Sequence, residues 1–132
     1  MGIVALSKIK HSDKALSRHR DYSFAKNDLV VPICDFETIR MASTIPLLFM
    51  RGRTSIQLYG LLGLQTGKNL FIKPDGSWAG KFTPSILTCH PFSLGQLGDE
   101  TATILFDKDS EFVVDREHGY PFFQEDGSLG AV

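Results

Sequence analysis

Cysteine, long apolar runs and an excess of charge of one sign are all scarce in this chain. Its 132 residues include two cysteines, Cys34 and Cys89, whereas a small fold held by disulfides carries more. We interpret them as buried free thiols, with one disulfide between them as the alternative. The longest apolar run, 56–64, is interrupted by polar residues and glycines, and a membrane-spanning helix needs ~18 apolar residues. The composition therefore excludes a disulfide scaffold and predicts no membrane span.

Charge is nearly balanced, with 14 lysines and arginines against 15 aspartates and glutamates, a net charge of −1. Such a balance provides no general attraction to nucleic acid, so we expect no nucleic-acid partner. The N-terminus lacks a basic segment followed by a long apolar stretch, so it is not a secretory signal. The default location is the cytoplasm, and export by a non-classical route is the alternative.

Turn signals and short apolar runs dominate the rest of the chain. Pro74-Asp75-Gly76 lies between the runs 69–72 and 78–82, a pattern typical of a β-hairpin. The runs 101–106 and 111–114 predict a second hairpin across 107–110, and a further Asp-Gly turn follows at Asp126-Gly127. Residues 9–21 are polar, which indicates a loop.

One segment has helical rather than strand periodicity. Phe36, Ile39, Ala42 and Ser43 recur at helical spacing, with Glu37 elsewhere around the turn. This pattern predicts a helix over about 35–43 with the recurring residues on one face. Asp35 has the side chain of an N-cap, and Pro46 ends the helix at the latest. We therefore expect an α+β fold, mainly an antiparallel β sheet or small barrel with this one short helix, as a single domain over 1–132.

Residues that could perform chemistry are few. Cys89 and His90 are adjacent, but neighbours on a strand point to opposite faces. The acidic residues 107, 109 and 111 could share a calcium ion, although the full calcium-binding loop is absent and a solvated turn explains them more simply. The four histidines do not have metal-ligand spacing. We therefore expect no catalytic residue, no metal site and no cofactor.

Aromatic residues on strands could form a platform for a sugar or a peptide. Trp78 is the only tryptophan, and a flat indole is well suited to such stacking. The residues that could join it are Phe71, Phe82, Phe92 and Tyr59. Packing in the core is the simpler explanation of the same pattern.

An ordered set of blocks over nearly the whole chain resembles the SapC family of bacterial proteins, which is linked to surface layers. These blocks are Ala25, Val31-Pro32, Glu37, Ile45-Pro-Leu-Leu-Phe49, Leu61-Leu-Gly-Leu64, Asn69-Leu-Phe-Ile72, Asp75-Gly-Ser-Trp78, Phe82-Thr-Pro-Ser85, His90-Pro-Phe92, Leu105-Phe-Asp107 and Phe122-Phe-Gln-Glu-Asp-Gly127. His19 lies where the family tends to have an early histidine. The chain departs from the family at Ile45, where an aromatic residue is usual, and at 88–90, where basic residues are usual.

The resemblance implies a role in surface-layer or cell-envelope biogenesis or export, without an established reaction. Family members are typically about twice as long, so the chain is either naturally short or lacks a C-terminal part. We therefore expect a non-enzymatic protein whose partner is a surface-layer or export component. The alternatives are an enzyme or accessory subunit for a peptide or sugar, and a small-ligand binding module. A ligand site would use Trp78, His90, Asp107 and His19.

Overall fold

A computed structural model describes residues 2–96 and 101–131 of the chain. The chain divides into two compact units. The central unit is Asp21–Cys89, and the terminal unit combines Met1–Arg20 with His90–Val132. The assignment of 1–132 to a single domain stays a prediction.

Short strands, linked by turns and short helices, make up most of the regular structure. In chain order the strands and α-helices are β1 (Ile3–Ala5), α1 (Lys8–His11), β2 (Lys14–Ser17), β3 (Val30–Pro32), α2 (Thr38–Ala42), β4 (Leu47–Arg51), β5 (Ile56–Leu61), α3 (Ser85–Thr88), β6 (Phe92–Gly95), β7 (Thr103–Asp107), β8 (Val113–Asp115) and β9 (Gly119–Pro121). Single 3₁₀ turns occupy Ser23–Ala25, Asp35–Glu37 and Arg116–His118.

All the strand pairs in the described part of the chain are antiparallel, which confirms the predicted fold class. Three sheets of three strands have the orders β1-β7-β6, β8-β2-β9 and β3-β5-β4. Within the described residues the strands form these separate sheets rather than a closed barrel. Residues 9–21, predicted to be a loop, instead contain the end of α1 and the whole of β2, the middle strand of its sheet.

The terminal unit contains the first two sheets. Phe106 and Phe122 are its largest fully buried side chains, and their rings pack edge to face with centroids 5.4 Å apart. The predicted hairpin over 101–114 is wrong, because β7 pairs with β1 and β6 whereas β8 pairs with β2. Pairing between segments far apart in sequence has replaced the local pairing that the turn at 107–110 suggested.

The central unit contains the third sheet and its own core. The core consists of Ala25, Val31, Ile33, Met41, Ile45, Leu62 and Leu87. Leu47 and Leu58, from the two strands of the β4–β5 hairpin, pack against this core. The sheet therefore covers one side of the core with the face that carries these side chains.

The predicted helix over 35–43 is present, as the 3₁₀ turn Asp35–Glu37 followed by α2, but its orientation differs from the prediction. Glu37 and Met41, one helical turn apart, are the buried positions. Phe36 and Ile39, which we expected to face the core, are 78% and 90% exposed. The N-cap is Cys34 rather than Asp35, and its amide donates to the Glu37 carboxylate at 3.2 Å.

Both Asp-Gly turns close in the same way. In the first, Ile72 and Trp78 form a β-bridge, and in the second Phe123 and Leu129 do so. The glycines, Gly76 and Gly127, have φ of +82° and +81°, a conformation that side chains with a Cβ adopt only with strain. The turns are confirmed, but each closes through a single bridge and no long strands flank them.

Candidate functional site

The four predicted site residues belong to different units. Trp78 lies in the central unit, whereas His19, His90 and Asp107 lie in the terminal unit. The grouping of all four around one ligand stays a prediction.

Trp78 is engaged by its own unit. Its ring stacks on Phe71 with centroids 5.0 Å apart, and Tyr22 packs edge-on at 6.1 Å. Its indole N–H donates to the carbonyl of Phe82 at 2.9 Å. One face and the polar edge of the indole are thus used within the fold. Of the other predicted platform residues, Phe92 belongs to the terminal unit, where it packs on Phe122.

His90 is partly buried and contacts Ser110 and Phe112. Its Nε2 lies 3.1 Å from the Oγ of Ser110, and its ring packs edge-on against Phe112. Burial lowers the pKa of His90 below its usual value, while the nearby Asp107 carboxylate opposes this shift and Arg20 adds to it. A lowered pKa favours the neutral ring at pH 7, the form that can accept a proton from a hydroxyl.

Asp107 is the last residue of β7, and Ser110 lies in the turn that follows this strand. Asp107 Oδ1 accepts from the amides of Gly2 at 3.2 Å and Asp109 at 3.1 Å. The Oγ of Ser110 also accepts from the amide of Phe112 at 3.2 Å. Sequence reasoning identified His90 and Asp107 but missed Ser110, because a single serine in a polar turn has no distinctive local pattern.

His19 lies on an exposed segment after β2. The Oγ of Ser17 accepts from the amide of His19 and donates to its carbonyl, at 3.3 and 2.9 Å. These two hydrogen bonds hold the backbone at His19 in a local turn. Because both bonds use backbone atoms of His19, they do not require a histidine at this position.

The cysteines are free thiols in the structure. Cys34 is partly buried, and burial is the main cause of the raised pKa of its thiol, with a further contribution from Glu37. Cys89 is exposed, so the prediction that it is buried is wrong. A raised pKa keeps Cys34 protonated at pH 7 and therefore poorly nucleophilic.

Asp107, Asp109 and Glu111 are the acidic residues of the segment 107–111. In residues 2–96 and 101–131, no group of three or more histidine, cysteine, aspartate or glutamate side chains could hold a metal ion. Asp109 forms an ion pair with Lys108 at 3.1 Å instead.

A shallow cavity of about 580 Å³ lies in the terminal unit. Its lining includes Arg116, Tyr120 and Glu125, and none of the four predicted site residues. The Arg116 guanidinium donates to the carbonyls of Ser12 and Phe123 at 3.1 and 2.7 Å. Arg116 therefore joins two segments of the terminal unit through hydrogen bonds.

Glu37 is the buried charged residue of the central unit, with 1% of its surface exposed. Its Oε1 accepts from the amide of Cys34, and its Oε2 accepts from the amide of Ser85 at 3.0 Å and from the Ser85 hydroxyl. Three donors satisfy this carboxylate, as burial of a charge requires. Glu37 therefore joins the start of the helical segment 35–42 to the start of α3.

Large apolar side chains are exposed on the central unit. Phe36 and Ile39 project from the helical segment, and Phe49 and Ile56 project from the β4–β5 hairpin with 76% and 62% of their surface exposed. Single exposed apolar residues are normal, but repeated large ones on a small unit are typical of interaction surfaces.

Comparison with known proteins identifies the family. The family model described as SapC matches residues 6–131, and the chain belongs to the SapC family. No curated protein and no solved structure matches it. Among the described residues, none of the helices has the length and apolar character needed to cross a membrane.

Proposed function

We propose that this SapC-family protein acts without catalysis, through contacts with a surface-layer or export protein during cell-envelope biogenesis. The observation that carries the proposal is the outward orientation of Phe36 and Ile39. A rotation of the helical segment could bury both, yet Glu37 and Met41 occupy the inner positions. Two large apolar side chains thus remain exposed to water. Burial of each by a partner would contribute about 1.5–3 kcal/mol of favourable transfer free energy to the complex.

The test is quantitative affinity capture followed by mass spectrometry from cells that produce a surface layer. Wild-type protein is compared with a Phe36→Ser, Ile39→Ser double variant. Ile9→Ser is the matched control, because Ile9 is equally exposed but lies in the terminal unit.

We expect capture of a surface-layer or export protein by the wild type and by the control, and its loss from the double variant. Capture of no such protein, or equal capture by all three forms, would contradict the proposal. Circular dichroism of each variant verifies that the fold is intact.

The contact between His90 and Ser110 favours a second candidate, an enzyme or accessory subunit for a peptide or sugar substrate. A neutral imidazole beside a hydroxyl, with a carboxylate nearby, is the set of groups that activates a serine nucleophile. This candidate predicts hydrolysis of a peptide or sugar ester that survives purification and disappears in both Ser110→Ala and His90→Ala. Turnover unaffected by both substitutions would exclude this site.

A further inference from the structure

The strand β4 forms an open edge of the central sheet. The sheet order is β3-β5-β4, so β4 pairs with β5 on one side only among the described residues. The amide of Leu61 donates to the carbonyl of Pro46, and the amide of Gly52 donates to that of Ser55, both at 2.8 Å. These bonds mark the beginning and the end of the hairpin ladder.

The ladder determines which backbone groups face away from β5. Hydrogen-bonded and non-hydrogen-bonded pairs alternate along an antiparallel ladder, and the two bonds above assign 46, 48, 50 and 52 to the bonded class. The amides and carbonyls of Leu47, Phe49 and Arg51 therefore point toward the open edge. An added strand could bond to all three residues.

The side chains along this edge are apolar. Phe49 and Met50 are exposed, and Phe49 lies on the same sheet face as Leu58 and Ile56. Proteins usually protect edge strands with charges, prolines or bulges. Here Pro46 precedes the edge and Arg51 is its last residue, whereas Leu47 to Met50 carry neither charge nor proline. Such a strand is a template for strand addition.

Charge indicates the chemistry of the occupant. Residues 38–74 contain five basic residues and no acidic one. Arg51 and Arg53, at the end of the hairpin, are exposed and form no ion pair with any residue in the described parts of the chain. Pairing of β4 with β4 of a second copy would leave these arginines without a counter-charge, whereas carboxylates on a partner would neutralise them.

We propose that the edge of β4, Leu47–Arg51, binds an extended segment of a partner protein by strand addition. The segment has a short apolar stretch next to Phe49 and carboxylates next to Arg51 and Arg53. This inference rests on the proposed function, because it assigns a binding surface to the same protein-contact role.

The test uses synthetic peptides and fluorescence anisotropy. The probe is fluorescein-labelled Glu-Glu-Val-Thr-Val-Thr-Val, whose N-terminal glutamates would meet the arginines in antiparallel addition. The matched peptide begins with two lysines. The protein forms are wild type, Phe49→Ala, Phe49→Pro and the double variant Arg51→Glu, Arg53→Glu. Alanine and proline both remove the ring, but only proline removes the outward amide.

We expect wild-type protein to bind the glutamate peptide at least about fivefold more tightly than the lysine peptide. The double charge reversal should invert this preference. Phe49→Pro should bind about tenfold more weakly than Phe49→Ala, because it lacks one edge hydrogen bond. A glutamate peptide N-methylated at its central valine should lose affinity for the wild type in the same way, which tests the edge even where Phe49→Pro fails to fold.

Four results would overturn the inference. They are no binding of the glutamate peptide, equal affinity for the two peptides, equal affinity of Phe49→Ala and Phe49→Pro with both folded, and wild-type dimers that Phe49→Pro abolishes in sedimentation. The last would assign the edge to a second copy. If the affinity capture described above succeeds equally with Phe49→Pro, the proposed function stands and the β4 edge is not its surface.

Discussion

Replacing Glu37 by glutamine should destabilise the central unit strongly although it changes only one oxygen to an NH₂ group. Glu37 accepts three hydrogen bonds in a buried position. Glutamine has one acceptor oxygen, which can serve either Cys34 or Ser85. Its NH₂ group then faces an amide donor on the other side, and that buried donor loses its partner.

The magnitude follows from the bonds that are lost or weakened. A hydrogen bond to a charged group contributes about 1.5–3 kcal/mol, and an unsatisfied buried donor costs about 1–3 kcal/mol. Glu37→Gln loses one such bond and the charge on the others, so we expect a decrease of about 2–4 kcal/mol in the free energy of unfolding. Ser85→Ala removes the hydroxyl donor alone and should decrease this free energy by about 1–2 kcal/mol.

The assay is urea unfolding followed by tryptophan fluorescence. Trp78 is the only tryptophan and lies in the same unit as Glu37, so its emission reports that unit. Glu117→Gln is the matched control, because Glu117 lies on the exposed surface of the terminal unit. A Glu37→Gln protein that unfolds within about 0.5 kcal/mol of the wild type would refute the reasoning, since surface substitutions alone fall within this limit.

Two further predictions use backbone geometry and pH. Gly67 and Gly76 both have positive φ, but a Cβ at Gly67 would meet nothing within 4 Å whereas one at Gly76 would lie 2.5 Å from an oxygen of Asp21. Gly67→Ala should therefore cost about 1 kcal/mol and Gly76→Ala about 2–3 kcal/mol in urea unfolding, and equal losses would contradict this account. Burial lowers the pKa of His90, so the unfolded chain binds the proton more readily, and stability should fall as the pH decreases from about 6.5 toward the lowered pKa. The stability of His90→Gln, measured at each pH by unfolding followed with far-UV circular dichroism, should lack that part of the pH dependence. A profile identical to that of the wild type would exclude His90 as the source.

Local chemistry in the sequence predicted the turns and the antiparallel class well. Proline, aspartate and glycine act within four residues, so the turns at Gly76 and Gly127 follow from the sequence alone. The pairing of strands does not follow from the local sequence, because β1 pairs with β7 about a hundred residues away. The polar sequence of β2 also concealed a strand, since two of its four residues are buried and the flanking charges dominate its composition.

The candidate site shows the same division between local and distant information. The lowered pKa of His90 depends on burial, and its hydroxyl partner is Ser110, 20 residues away. No spacing rule connects those two positions. The sequence could identify His90 and Asp107 as candidate site residues by their residue types. Only the fold shows that Ser110 lies beside His90.

The orientation of the helical segment connects stability with the proposed function. Hydrophobic spacing alone predicts that Phe36 and Ile39 face inward, which would stabilise the fold by about 1.5–3 kcal/mol for each side chain. Glu37 instead faces inward because Ser85, 48 residues away, supplies two of its three donors. Rotation of the segment to bury the apolar pair would break the two bonds to Ser85 and expose the carboxylate to solvent, whereas the bond from the Cys34 amide lies within the first turn of the segment itself. The two bonds from Ser85 therefore join the helical segment to α3 and also keep Phe36 and Ile39 exposed. A protein that depends on these side chains to bind a partner must retain Glu37, so Glu37→Gln should weaken affinity capture at temperatures well below its unfolding midpoint, whereas Ser85→Ala should weaken it less.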